Sequence, residues 1–453
     1  MQTLSHRWKQ VLLIAWPLII ANSFWNLQLT IDRIFLGMYS TEALGAAMAV
    51  MGVFWVPMAL LQGTASYVTT FVAQYYGANE QHKIGAAVWQ AFYVALIGGL
   101  AFLGLNFFSP WLFGMINHAP TIQVLEVEYF NSIAYSALPT AVVAAISGFF
   151  TGLGRTRTVI GINFVGLVLN VVLDYVMIFG HYGFPKMGIA GAGYATALAT
   201  WGSALYGLML IFRKDGETLY KIRSDWKLRL DLLKQFLRFG LPSGLQWALE
   251  GLAFTVFLIV MGRLKEGEAA LASSSIAVTV MMLSVLPSMG IAQSVMTLVG
   301  QKLGEKKPAE AELFTWDGVR ISSIYMATIA LSFFFIPDFY LSWFKNEENA
   351  ALWAQVSVLA PKLLSIVAIF TVFDSVYLNV SFALKGAGDT KFVSLVALIV
   401  PWPLMVLPAF LVKDMENAAV IAWGFVVLYS IAITVLLALR FKQGKWKTMS
   451  VIH

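Results

Sequence analysis

Twelve apolar runs, each of at least about 20 residues, take up most of the chain, and a membrane is the environment that such runs require. They cover residues 10–37, 44–75, 84–108, 123–150, 157–180, 188–212, 233–262, 270–301, 313–343, 355–385, 391–412 and 418–441, numbered here as spans 1 to 12. At about 1.5 Å of rise per residue, each is long enough as a helix to cross a hydrocarbon core of roughly 30 Å. The runs are continuous, whereas barrel strands would alternate over about 10 residues between turns, so helices are predicted. The mean hydropathy of +0.75 agrees, because a soluble chain of 453 residues would need far more surface charge than 24 acids and 30 bases. The first run lacks a small-residue cleavage site and is expected to remain as a membrane helix. The chain has no cysteine, which excludes disulfides, thiolate catalysis and cysteine metal sites.

Orientation follows from the bases. Placing the amino terminus in the cytoplasm puts Arg7, Lys83, Arg155, Arg157, the block from Arg213 to Arg238, Lys306, Lys391 and the tail from Arg440 to Lys447 on one side. The positive-inside rule reads that side as cytoplasmic, so both termini are expected to face inward in the cytoplasmic (inner) membrane. Topology thus accounts for the formal charge of +6, and no nucleic-acid partner is needed.

The chain also repeats itself. Pro17 answers Pro242 and Gly37 answers Gly262, both at an offset of 225. Gln74-Tyr-Tyr-Gly77 answers Gln301-Lys-Leu-Gly304 at 227, and Gly152-Leu-Gly-Arg-Thr-Arg157 answers Gly386-Ala-Gly-Asp-Thr-Lys391 at 234. Each unit holds six spans, an even number, so both copies enter the membrane from the same side and the repeat is parallel. The expected architecture is an all-α membrane protein with twelve transmembrane helices in two pseudosymmetric six-helix lobes, 1–213 and 233–453. A cytoplasmic linker, 214–232, joins them. Its mixed bases and apolar residues, with Trp226, suit the headgroup boundary of the membrane lipids. Two such lobes are the architecture of a carrier that rocks about a central substrate site.

Asp32, Asp174, Glu250 and Asp374 each stand inside a long apolar run. Ionisable groups at membrane depth are costly and mark function by default. Together with Ile31-Asp32-Arg-Ile-Phe-Leu-Gly37, Leu169-Asn170-Val-Val-Leu-Asp174, Leu241-Pro242 through Glu250 and the repeated motifs above, they carry a resemblance to a known family. The chain resembles the multidrug and toxic compound extrusion (MATE) transporters across all twelve spans, near the bacterial norfloxacin-exporter branch. The resemblance implies a secondary antiporter, not an enzyme, that exports organic cations or amphipathic drugs in exchange for inward protons or sodium ions. It implies a cation-coupling site at Asp32, Asn170, Asp174 and a span 6 threonine, for which Thr196 is the best match. Glu250 and Asp374 match acids of the second lobe in that branch, a substrate or second cation site.

Helix geometry supports the first group independently. Asp32 lies five residues before Gly37 and Asp174 six before Gly180, so both sit about 8–9 Å below their outer ends. Asn170 is one turn from Asp174, and Thr196 falls about 12 Å in from Gly188. Two carboxylates, an amide and a hydroxyl suit a hard cation such as Na+, and two carboxylates sharing a low-dielectric site can instead hold a proton. Residue spacing leaves that choice open. Glu250 is expected about 18 Å from its outer end and Asp374 at a similar level. Pro17 interrupts the hydrogen bonding of span 1, which makes it either a hinge that responds to Asp32 or a static kink.

Other classes are less well supplied. A lipid-linked oligosaccharide flippase of the same superfamily would want bases at membrane depth for pyrophosphate, and the spans offer few. A membrane-embedded enzyme would want an acid or histidine cluster at the surface. The five histidines, His6, His82, His118, His181 and His453, all map to tails or loops. No nucleotide-binding loop, nucleophile motif or metal motif is present, so no cofactor is expected beyond the coupling ion. The protein is expected as a monomer.

Overall fold

The computed structural model describes residues 3–116, 118–345 and 349–452; the tail histidine His453 and the outermost positions Met1 and Gln2 of the two expected lobes lie outside them. The structure is helical, with no strand among the described residues. Twelve helices are long and apolar enough to cross a membrane. They are α1 (Leu4–Tyr39), α2 (Thr41–Gly77), α3 (Gln81–Ile116), α4 (Pro120–Gly152), α5 (Arg157–Phe179), α6 (Gly188–Ile211), α7 (Leu230–Gly262), α8 (Gly267–Gly304), α9 (Pro308–Phe335), α10 (Ala350–Ala387), α11 (Thr390–Leu411) and α12 (Ala418–Lys442).

Local chemistry sets the helix ends. Ser40 caps α2 by accepting from the Ala43 amide at 3.3 Å, and Asn349 caps α10 by accepting from Leu352 at 3.2 Å. Pro120 and Pro308 open α4 and α9 at a position whose amide has no helical acceptor anyway. Gly180 and Gly388 close α5 and α10 in the left-handed region, with φ of 76° and 105°. The two largest departures from expectation are at the third span, predicted to end at residue 108 but continuing to Ile116, and at the ninth, predicted to reach residue 343 but stopping at Phe335. Pro337 restarts a short helix, Pro337–Leu341, and disfavours helical geometry at Ile336 before it.

The chain forms two compact units. One gathers Met1–Ile19, Leu249–Val299 and Lys307–Met449; the other gathers Ile20–Ala248, Gly300–Lys306 and Ser450–His453. Here they are called the Glu250 unit and the Asp32 unit. Helices α1 and α7, which the repeat relates, each divide between the two units, at residues 19/20 and 248/249. Packing explains the first division. Val11 and Ala15 are buried with Ile291, Leu298 and Phe314, while Arg7 bonds Asp317 of α9 at 2.6 Å.

The repeated glycines do the same work in each unit. A Cβ at Gly152 would stand 2.7 Å from the Thr69 carbonyl oxygen, and one at Gly386 would stand 2.5 Å from that of Met296. Only a hydrogen fits at either place, which is why helix backbones come into contact there. The core of the Asp32 unit runs through Phe54, Phe102 and Phe130, and that of the Glu250 unit through Phe257, Val367 and Trp423.

Candidate functional site

Three helices of the Asp32 unit bring four polar side chains to one buried point. Asp32 on α1 and Thr196 on α6 are each 6% exposed, and Asn170 and Asp174 on α5 are fully buried. The shared face of Asn170 and Asp174 comes from their i, i+4 spacing. The Asn170 amide turns its NH2 toward the carboxylates, donating to Asp32 Oδ1 at 2.8 Å and to Asp174 Oδ2 at 3.2 Å. The reverse orientation would aim an amide oxygen at carboxylate oxygens. In either orientation the remaining amide atom lies 3.3 Å from Thr196 Oγ1, as acceptor in the favoured one.

Asp32 also meets the Asp174 carboxyl and the Thr196 hydroxyl. Two carboxyl groups can hydrogen-bond to each other only through a proton. Asp174 Oδ1 finds no hydrogen-bond partner among the described residues. A buried carboxylate oxygen without a donor is costly, so a proton or a small cation at this oxygen would relieve it. Every donor atom facing the cluster from these four residues is an oxygen apart from the Asn170 amide nitrogen, a set that fits a hard monovalent ion. Arg33, next in sequence, is exposed and lies within electrostatic reach of Asp32.

Tyr129 of α4 belongs beside this group and was not expected there. It is 4% exposed and interacts electrostatically with both carboxylates. It stands nine residues into a helix that starts at Pro120, about 13 Å deep, so the depth reasoning that located Thr196 would have found it.

The second pair of acids lies wholly in the Glu250 unit. Glu250 is half-buried and accepts a hydrogen bond from the Tyr377 hydroxyl, while Asp374, one turn before Tyr377 on α10, is 7% exposed. Asp374 and Tyr429 both lie within electrostatic reach of Glu250. So does Lys385, which is 2% exposed and holds its ammonium 4.5 Å from the centre of the Phe382 ring. In the sequence Lys385 is the last residue of span 10, next to the Gly386 motif. Its burial on the same face as the acids is tertiary information.

Three further buried acids were missed: Glu126 and Asp317, with no exposed surface, and Asp389, which pairs with Arg440 at 2.6 Å. Each is held by a base. His118 Nδ1 stands 2.5 Å from Glu126, and Arg7, Arg320 and the Trp8 indole surround Asp317 at 2.6, 3.1 and 3.3 Å. No group of three or more His, Cys, Asp or Glu side chains suited to a metal ion occurs among the described residues. Pro17 is buried in the Glu250 unit, inside a helix that continues on both sides of it.

Comparison with known proteins agrees with this architecture. The MatE family model matches twice, over residues 17–176 and 242–411, which together make up most of the chain and coincide with the internal repeat. A Thermotoga maritima protein named a probable multidrug resistance protein NorM is 27% identical over 450 residues, covering 98% of this chain and 94% of that one. The multidrug resistance protein PmpM of Pseudomonas aeruginosa is 29% identical over 404 residues, covering 87% and 81%. A solved structure described as the outward-facing conformation of a multidrug resistance MATE family transporter superposes with a TM-score of 0.87 at 20% identity, covering 98% of this chain and 97% of that one, which shows the shared fold. The chain therefore belongs to the MatE family and is a multi-pass membrane transporter rather than an enzyme.

Proposed function

We propose that this transporter is a secondary antiporter that exports organic cations or amphipathic drugs in exchange for inward protons or sodium ions. The observation that carries this reading is the buried Asp32–Asn170–Asp174–Thr196 group, with a carboxylate oxygen that no described residue satisfies. The names of the relatives as multidrug resistance proteins support the drug half of it. A proton or Na+ bound at this group favours the conformation that releases drug, and only such differential binding moves the equilibrium. Glu250 and Asp374 supply negative charge for a cationic substrate or a second cation. Pro17 is where α1 bends as Asp32 gains or loses its ion.

The two repeats, 1–213 and 233–453, act as the two lobes of an alternating-access cycle, joined by the linker 214–232. The protein works as a monomer in the cytoplasmic membrane, surrounded by lipid, with both termini in the cytoplasm, where most of its bases then fall.

Drug efflux from proteoliposomes under separately imposed sodium and pH gradients tests this reading. One gradient is expected to drive efflux in the native chain, and Asp32→Asn is expected to remove its effect. Efflux that ignores both gradients would refute antiport, and unimpaired Asp32→Asn and Glu250→Gln proteins would refute the site assignments. A Pro17→Ala protein with unchanged efflux and ion dependence would reduce Pro17 to a static kink.

A further inference from the structure

The segment between α6 and α7 is not a slack tether. The Trp89 indole donates to the Ile222 carbonyl at 2.6 Å, and the Tyr93 hydroxyl donates to that of Trp226. A Cβ at Gly85 would stand 2.6 Å from the carbonyl oxygens of both Tyr220 and Lys221, so the linker backbone lies directly on the first turn of α3. Glu217 closes the turn, accepting from the Arg223 amide at 2.6 Å and from the Ser224 amide and hydroxyl. Lys221 is held in the left-handed region at φ 54°, a conformation that a lysine adopts only when its surroundings impose it.

This fixed backbone presents an unusual surface. After the turn, residues 226–229 run without helical structure into α7, and all five residues from Trp226 to Leu230 are exposed. They alternate apolar and basic: Trp226 is 56% exposed, Leu228 49% and Leu230 71%, with Lys227 and Arg229 between them. Apolar and basic side chains thus lie side by side on one exposed stretch of chain. Trp89 stands five residues into α3 from Ile84, about 7 Å, so the segment lies level with the first turns of a membrane helix. Three large apolar groups facing water at that depth would be unfavourable, whereas acyl chains and phosphates together satisfy both sets. Arg229 pairs with Asp225, and the Arg223 guanidinium is bound to the Phe212 carbonyl, which leaves Lys221 and Lys227 as exposed bases of this turn with no ion pair within 4.0 Å among the described residues.

We infer that residues 221–230 form a preformed docking site for anionic phospholipid headgroups, with Trp226, Leu228 and Leu230 in the acyl boundary and Lys221 and Lys227 on the phosphates. Charge complementarity selects an anionic headgroup over a zwitterionic one, at about fivefold per base near the surface. The inference uses the cytoplasmic placement of the linker proposed above, and does not depend on the coupling ion or the drug.

The absence of native cysteine makes a single label specific. A nitroxide is placed on Leu228→Cys, and its accessibility to oxygen and to a water-soluble nickel chelate is read in vesicles of phosphatidylcholine and of equal parts phosphatidylcholine and phosphatidylglycerol. The expected result is shielding from nickel in the phosphatidylglycerol vesicles that is lost in high salt and in the Lys221→Gln/Lys227→Gln protein. In that double variant the preference for phosphatidylglycerol should fall on the order of 25-fold. Equal depth in both lipids would overturn headgroup selection, and nickel access in both would overturn membrane contact. Spin–spin broadening between labels would assign the surface to a second copy and overturn the lipid. A Leu230→Cys label repeats the reading if the first variant folds poorly. Reaction of the same cysteine with a membrane-impermeant maleimide in vesicles of known sidedness reports the placement of the linker separately, so a wrong orientation is distinguishable from a wrong ligand.

Discussion

The two acid clusters answer the same problem, negative charge inside the membrane, in opposite ways. In the Asp32 unit, Asp32 and Asp174 share an amide and a hydroxyl, no base touches them, and one carboxylate oxygen is unsatisfied. In the Glu250 unit, Glu250 receives the Tyr377 hydroxyl and has Lys385 and Tyr429 within electrostatic reach. Asp317 marks the far end of this range, since the Arg7 and Arg320 guanidinium groups pair with it, whereas Glu126 meets His118 through one oxygen and leaves Oε2 without a partner among the described residues. A charge completed by the protein itself has little left to offer a ligand, because an ion pair already offsets its desolvation. Under the proposed function, ion coupling falls to the Asp32 cluster and a weaker, adjustable attraction for cations to the Glu250 cluster.

Four outcomes would break or sharpen that contrast. The largest effect is expected for Asp174→Asn: the dependence of drug release on the ion should disappear, a loss of about 5–150-fold in the linkage between the two ligands. Measuring drug affinity with and without the ion checks this, and a preserved ratio would end the distinction between the clusters. Next comes Tyr377→Phe, which deletes the hydrogen bond to Glu250, worth about 1.5–3 kcal/mol where the acid is ionised. Cation or drug binding at the Glu250 cluster should change by roughly tenfold or more, while ion coupling stays intact.

A smaller change is expected for Lys385→Met. Removing the buried positive charge should tighten binding of a cationic drug, seen as a lower KM for efflux at unchanged ion dependence; weaker binding would show that Lys385 positions Glu250 rather than competing for it. The smallest effect concerns an acid outside the membrane. Glu217 is held below the ordinary glutamate range, first by the Ser224 hydroxyl and then by the Arg223 and Ser224 amides. A carboxylate lowered in this way stabilises the folded linker above its unfolded pKa, and the contribution is lost as pH falls through the lowered folded value. Protease cleavage near Arg223 should therefore be flat with pH around neutrality and rise only in acid below the ordinary glutamate range, and Glu217→Gln should raise it around neutrality and converge with the native chain in acid.

Much of this organisation was already legible in the residues. The twelve spans matched the helices to within a few residues at most ends, because about 20 apolar residues in lipid leave the backbone no other way to satisfy itself. The deviation at Phe335 came from Pro337, a signal present in the sequence but outweighed by the apolar residues around it. Depth counting along single helices placed Asp32, Asn170, Asp174 and Thr196 at one level, and they are in contact.

What the sequence determined by itself, then, is everything set by length, period and helix ends: the all-helical membrane class, the internal repeat and the level of each acid. The tertiary structure alone decided which side chains share a level and a face. It brought Tyr129 to the Asp32 pair, set Lys385 and Tyr377 by Glu250, and gave Glu126 and Asp317 their bases. The physical reason is that rise along a helix is fixed by backbone geometry, whereas rotation about its axis is fixed by packing against neighbours far away in the chain.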